Sequence, residues 1–356
     1  EGARARDRRR MRVIVSAIEH DSELDVIPSL RDRGFEVTLV RPNRAGVVTA
    51  EAVGALLDDA VALVSVMSAN NETGVVQPIA AIARVARARG ALVHTDAVQA
   101  FGRIPLKLDD VDALSVAAHK IGGPTGVGAL VMRGRCPFRP QMFGGGQERG
   151  RRPGTQDVRG AQAFAAAARA CCDHFAERRM VVSARAQRLY DELCAPRTGI
   201  VPTTTATIDE GRLPGLVSVM VPSMDSETLV LKLDQLGFEV SAGSACSSGS
   251  LEASHVLLAM GIARADALGS LRISFDERAD EEGLAAFAAA LLGIVAEGDG
   301  RAMTALSRMG ISGDAIRNAV GELMEQTSEE NSRRLPQGGR KDEISRPEKD
   351  GEHHET

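Results

Sequence analysis

The sequence lacks the features that mark a disulfide-linked, zinc-bound or membrane-spanning protein. Its 356 residues include five cysteines, at 136, 171, 172, 194 and 246. No two form a C-x-x-C pair, and their odd number and irregular spacing argue against a disulfide framework or a structural zinc site. A reducing cytosol is the expected compartment. No stretch reaches the roughly 18 to 20 uninterrupted apolar residues of a membrane span, and residues 1–10 are basic without the apolar core of a signal peptide. Positive charge is not in excess either. Lys and Arg number 43 against 48 Asp and Glu, a net charge of −5, and the signs are interleaved, so no footprint for a nucleic acid is present. The expectation is a soluble, cytoplasmic chain with no metal, nucleic-acid or membrane partner.

Apolar patterning is well represented, with 44% hydrophobic residues, and the length favours more than one domain. Short β-branched runs over 12–18, 35–40, 61–67, 91–95, 113–117 and 127–132 read as strands, and 22–33, 50–59 and 79–89 read as helices between them. Pro78 opens the last helix and Gly90 closes it. This alternation predicts an α/β domain with a mainly parallel sheet, whose ligands gather at the carboxyl ends of the strands. Residues 157–194 predict one long helix or a broken pair, ended by Pro196. Strands over 203–208, 216–221, 238–241 and 270–275, with helices over 226–236, 253–260 and 281–296, predict a smaller α+β domain. The expected division is 11–165 for the large domain, 166–300 for the connecting helix and small domain, and 301–356 for a helical extension with a polar, disordered tail.

Asp96 ends one buried run and Lys120 follows another, in Ala118-His119-Lys120 ahead of the turn Gly122-Gly123-Pro124. An amine and a carboxylate so placed suit pyridoxal phosphate, the lysine holding the cofactor as a Schiff base and the acid facing its protonated pyridine nitrogen. A lone lysine is ordinarily a solvated charge, and Asp96 alone could be a helix cap; the pairing favours the cofactor. Gln99 could donate to the cofactor's phenolic oxygen or be merely solvated. Cys246 lies in the small-residue run Ser241-Ala242-Gly243-Ser244-Ala245-Cys246-Ser247-Ser248, which has little to pack and reads as a flexible loop exposing a nucleophilic thiol rather than a structural cysteine. Arg272, inside an apolar strand, needs a carboxylate, supplied either by a substrate or by an internal salt bridge. His20, past the first strand, could stack on the ring or shuttle protons, or be an ordinary histidine.

Six motifs in this order resemble the cysteine desulfurases of the NifS and IscS type, class V aminotransferase relatives with the fold type I of pyridoxal-phosphate enzymes. They are Ser16-Ala17-Ile18-Glu19-His20, Asn70-Asn71-Glu72-Thr73-Gly74, His94-Thr95-Asp96-Ala97-Val98-Gln99, Ala118-His119-Lys120, the glycine-rich run from Gly144 to Thr155, and Ser241 to Cys246. The resemblance implies that Lys120 is the Schiff-base lysine, Asp96 the pyridinium partner and His20 the ring-stacking acid–base group. It places Asn71 and Gln99 near the substrate and phenolic oxygen, His119 near the phosphate, and Thr155 at the phosphate of a partner subunit in a homodimer. Arg272 would take the carboxylate of L-cysteine, and Cys246 would receive sulfur as a persulfide. Alanine would be released, and the sulfur passed to an iron–sulfur scaffold or a tRNA-thiolation protein.

Two departures from the family pattern concern the phosphate. The Gly-Ala-Thr type loop that the family places ahead of the first motif has no counterpart in residues 1–12, so the chain is expected to be N-terminally truncated, with position 1 not a methionine and Met11 an internal candidate start. Ala117 also stands where many relatives carry a serine. Weaker cofactor binding is therefore expected. The alternatives are a catalytically impaired fragment that acts as a dimerising or scaffold-binding protein, and a related selenocysteine lyase.

Overall fold

The structure is a computed structural model that describes residues 1–298 apart from 108, 110, 135, 209, 210 and 244–251. Cys246 and the 301–356 extension lie outside the described residues. Strands β1 (Arg12–Ser16), β2 (Glu36–Val40), β3 (Val61–Ser65), β4 (Leu92–Asp96), β5 (Ala113–Ala117) and β6 (Gly128–Met132) form one sheet in the order β2-β1-β3-β4-β5-β6. All pairings are parallel except β5 with β6. Every strand expected in this half is present.

The helices are more broken than the sequence suggests. The expected helix over 22–33 is two short ones, Asp21–Leu24 and Ile27–Asp32, because Pro28 falls in the first turn of the second and cannot continue the first. The helix over 50–59 shortens to Ala50–Gly54, opened by the Thr49 hydroxyl accepting from Ala52 N at 3.1 Å. Ile79–Ala88 keeps its expected span and buries Ile82, Ala83 and Ala86 against Val64, Val93 and Leu114 of the sheet. The same core takes in Val256, Leu257 and Met260 from far along the chain.

Residues 157–194 form the broken pair, Val158–Cys172 and Phe175–Leu193, with Asp173 extended and His174 left-handed between them. The second sheet has β7 (Val201–Pro202), β8 (Leu216–Met220), β9 (Ser241–Ala242) and β10 (Ser270–Ser274), in the order β7-β8-β10-β9 with antiparallel pairing throughout. Two expected strands here are corrected. The run 203–208 contributes no strand because Thr204 turns its hydroxyl to the Ala45 carbonyl at 2.7 Å, away from β8. Only the end of 238–241 pairs, because Phe238 closes the helix Ser226–Gln235, its N–H bonded to Leu233 O at 2.9 Å, and packs edge-on against Phe287.

Helices Phe175–Leu193, Ser226–Gln235 and Glu281–Gly298 bury Leu189, Leu193, Leu229, Leu233, Phe287 and Leu291 with Val217, Val219 and Ile273 of this sheet. Both sheets belong to one compact unit. Tyr190 stitches the small sheet to its helix: its hydroxyl accepts from Ser218 N at 2.7 Å and donates to Ser218 O at 3.2 Å. Tyr190→Phe leaves the buried Ser218 N–H without that partner, so a loss of about 1–3 kcal/mol is expected in urea unfolding. A loss near zero would show that the strand's other bonds carry this position.

Candidate functional site

Parallel pairing forces β1, β3, β4 and β5 to end on one edge, and each runs there into a predicted site residue. β1 leads to His20, β3 to Asn71, β4 ends in Asp96, and β5 leads to His119 and Lys120. β1 and β3 are neighbours although β2 separates them in sequence, the reversal of strand order at which open α/β sheets hold ligands.

The strand ends are tied to one another. Ser68 N donates to Asp96 O at 2.7 Å and Ala97 N to Ser115 O at 2.9 Å. Asn70 Nδ2 reaches Ile18 O at 3.0 Å, joining the loop that bears Asn71 to the one that bears His20. One oxygen of Asp96 accepts from Val98 N at 2.7 Å, a turn bond and not a helix cap, and the other carries no protein hydrogen bond among the described residues. His20 caps Asp21–Leu24, Nδ1 accepting from Ser22 N at 3.1 Å, which leaves the proton of the neutral ring on Nε2. Lys120 and His119 stand exposed on a 3-10 turn, Ala118–Ile121, that Gly122 closes at φ +79°. A side chain there would be strained.

Arg272 of β10 crosses to this edge. Its Nη1 donates to Asn71 O at 3.0 Å, and among the described residues it forms no ion pair, so the internal salt bridge is not made. Asn71 Oδ1 is buried without a hydrogen-bond partner among the described residues, a state that buried polar atoms rarely keep unless a ligand or water supplies the partner. Gln99 Oε1 accepts from Arg103 Nη1 at 3.3 Å. Thr155 is exposed on the loop after the glycine-rich run, and no contact joins it to the others among the described residues. Cys246 lies outside the described residues, but its flanks, Gly243 and Ser254, stand at this edge.

Sequence reasoning missed several groups. Glu72, beside Asn71 and 5% exposed, accepts a short hydrogen bond from the Ser254 hydroxyl. Burial pushes its carboxyl up to about 7, against the downward pull of that bond and of Arg272. Glu19 is fully buried, and burial followed by the charge of Glu23 raises its carboxyl well above the ordinary range. Arg103 is a second guanidinium held below its ordinary value by burial and by Arg272. His94 bridges Ser65 Oγ at 2.8 Å and Ser115 Oγ at 2.9 Å, with Glu23 3.4 Å from Nδ1. Glu72 stands inside a quoted motif but between polar neighbours that gave no cue to burial. Arg103 and Ser254 carried no signal.

An apolar hollow of about 320 Å³ lined by Val13, Leu63, Val93, Leu130 and Phe138 lies elsewhere on the sheet and includes none of the predicted site residues. Cys194, a candidate for competing thiol chemistry, is pushed up to about 11 by burial and so stays a thiol at neutral pH. Among the described residues no group of His, Cys, Asp and Glu could hold a metal ion, and no helix is long and apolar enough to cross a membrane.

Residues 3–287 match the family model of the class-V aminotransferases. The chain belongs to that family. It is 40% identical over 271 residues to a cysteine desulfurase of Enterobacter agglomerans, covering 74% of this chain and 66% of that protein. It is 41% identical over 278 residues to the cysteine desulfurase IscS of Aeromonas salmonicida, covering 76% and 66%. The solved structure of a NifS-like protein superposes with a TM-score of 0.75 at 35% identity, over 83% of this chain and 78% of that one. The fold is the fold type I of pyridoxal-phosphate enzymes, as the resemblance implied. The chain spans just under two thirds of the length of these curated relatives.

The raised Glu72 has a thermodynamic consequence. A folded carboxyl near 7 binds its proton more tightly than the unfolded one, near 4.5. Its contribution to stability is therefore full below about 4.5 and is lost as pH rises through about 7. Glu19 acts with the same sign. Urea unfolding of wild type and Glu72→Gln across this window is expected to show a shallower fall for the variant; parallel slopes would contradict it.

Proposed function

We propose that the protein is a pyridoxal-phosphate-dependent cysteine desulfurase, which takes sulfur from L-cysteine and leaves L-alanine and a persulfide on Cys246. The observation that carries this reading is the gathering of four strand ends and Arg272 at the edge that holds Asn71, whose buried Oδ1 has no hydrogen-bond partner among the described residues. The residues suit the cofactor's ring end. Asp96 keeps one oxygen for a pyridinium, Gln99 and Asn71 offer amides, and Lys120 would hold the cofactor through its amine, with His119 and a second copy's Thr155 toward the phosphate. Ala117 offers the phosphate no hydroxyl. Bound, the cofactor would supply an electron sink at the substrate's α-carbon.

The chain's own groups do the rest. Arg272, which forms no ion pair among the described residues, takes the substrate carboxylate in a charge-assisted fork. Nε2 of His20 and the amine of Lys120 move protons. The Cys246 thiolate attacks the substrate sulfur; an S–S bond forms, the C–S bond breaks, and its electron pair is quenched by a proton at the β-carbon. In this reading 11–165 binds the cofactor, 166–300 brings Arg272 and the thiol to it, the chain works as a homodimer, and an iron–sulfur scaffold or a tRNA-thiolation protein accepts the sulfur.

The purified chain, supplied with pyridoxal phosphate, is expected to take up a visible absorbance band that Lys120→Ala abolishes. Cys246→Ser is expected to keep the band and lose cysteine desulfuration by about a hundredfold or more. A chain that stays colourless and makes no alanine overturns the proposal and favours an impaired, dimerising fragment. A Cys246→Ser variant that still desulfurates cysteine overturns the persulfide step.

A further inference from the structure

Glu72 is a buried carboxylate that the proposed chemistry does not use. Its main chain is fixed first, its N–H bonded to Asn70 Oδ1 at 3.0 Å. Its side chain then crosses to a part of the chain 182 residues away, where Oε2 accepts from Ser254 Oγ. Ser254, 1% exposed, is committed in its turn, because the same oxygen accepts from Leu257 N at 3.2 Å and caps the helix His255–Ala259. The next residue, His255, places Nε2 3.0 Å from Glu19 O. This flank of the Cys246 segment is therefore pinned at two adjacent points, each on the immediate neighbour of a proposed site residue, Asn71 or His20.

The other flank meets the same carboxylate. Ser241 pairs with Arg272 in the sheet, and Gly243 N bonds to Ser270 O at 3.1 Å. A Cβ on Gly243 would stand 2.3 Å from Ser270 Oγ and 3.6 Å from Glu72 Oε2, so a side chain here would clash with Ser270 and come up against the acid. One buried oxygen thus binds one flank of the segment that carries the thiol and lies beside the other.

We propose that Glu72 is a positioning residue, whose buried carboxyl oxygen holds Ser254 and backs Gly243, so that both flanks of the Cys246 segment are set at the edge that carries Asn71 and Arg272. This rests on the desulfurase reading for its catalytic meaning but not for its geometry. The role asked of the group is that of a hydrogen-bond acceptor, which either protonation state can fill. Burial disfavours its charged form more than Ser254 and Arg272 favour it, and Arg272 is held by the Asn71 carbonyl instead. Glutamine keeps an acceptor in this place and alanine does not.

The test uses the full chain with pyridoxal phosphate, comparing Glu72→Ala, Glu72→Gln and Ser254→Ala. Hydrogen exchange is expected to speed up at the Gly243 and Leu257 amides by about tenfold or more in both alanine variants, with no change around Leu189 and Leu229, and to stay near wild type in Glu72→Gln. In steady-state turnover of cysteine, Glu72→Ala is expected to lower kcat about tenfold or more with KM little changed. Glu72→Gln should restore kcat to within about threefold. Unchanged exchange in Glu72→Ala, or a Glu72→Gln variant as impaired as Glu72→Ala in exchange and kcat, overturns the proposal. A wild-type chain that makes neither alanine nor persulfide overturns the desulfurase reading instead, and the exchange arm still decides the role of Glu72.

Discussion

Asn70 is fully buried, and its amide spends both ends on the backbone of neighbouring strand ends. Nδ2 donates to Ile18 O, while Oδ1 accepts from the amides of Glu72 and Thr73 and from the Thr73 hydroxyl. A loop leaving a strand has no ladder to satisfy its amides, and a buried orphan costs about as much as a lost hydrogen bond. Here one side chain satisfies two of them and joins the β1 loop to the β3 loop. The carbonyl of Asn71 that receives Arg272 and the carboxyl of Glu72 that receives Ser254 both hang on the turn so fixed. Contact between the two sheets at this edge therefore depends on an asparagine that would itself touch neither cofactor nor substrate.

The electrostatics of the edge follow from that burial. Glu19 and Glu72 lie where water cannot solvate a charge, and burial is the leading cause of the rise in both. Asp96 is half-buried, one of its oxygens without a protein hydrogen bond among the described residues, Arg272 forms no ion pair among them, and burial followed by the charge of Arg272 lowers the affinity of Arg103 for its proton. Among the described residues the edge therefore presents Arg272 without an ion pair, and it keeps its buried acids toward the neutral form. Electrostatic preorganisation of this kind costs folding energy and is characteristic of functional sites.

The parts legible in the sequence were those whose signal is local. The six strands of the large sheet announce themselves as β-branched runs, and Asp96 and Lys120 stand out because each ends or follows such a run. The helix at 22–33 broke because Pro28 outweighed the apolar spacing around it. The strand at 203–208 failed because Thr204 found a better acceptor in the Ala45 carbonyl, a residue on a distant loop. Glu72, Ser254 and Arg103 were invisible for the same reason. Their roles are set by partners between four and 182 residues away, and nothing in a glutamate flanked by asparagine and threonine indicates that the fold will close over it.

The two sheets divide the work in a way that their pairing explains. The large sheet can bring several loops to one edge because β1 to β5 all point the same way, and so it gathers Asp96, Lys120, Asn71 and His20. An antiparallel sheet cannot do this, since alternate strands end on opposite edges. It can carry a side chain inward from the middle of a strand, and β10 does so with Arg272, flanked by β8 and β9. Arg272 is thus held by ladder bonds on both sides while its guanidinium reaches a loop of the other sheet. Under the desulfurase reading, a group that would orient a substrate gains from that rigidity. The described residues on either side of the Cys246 segment are fixed as well, Gly243 by the Ser270 carbonyl and Ser254 by the Glu72 carboxyl.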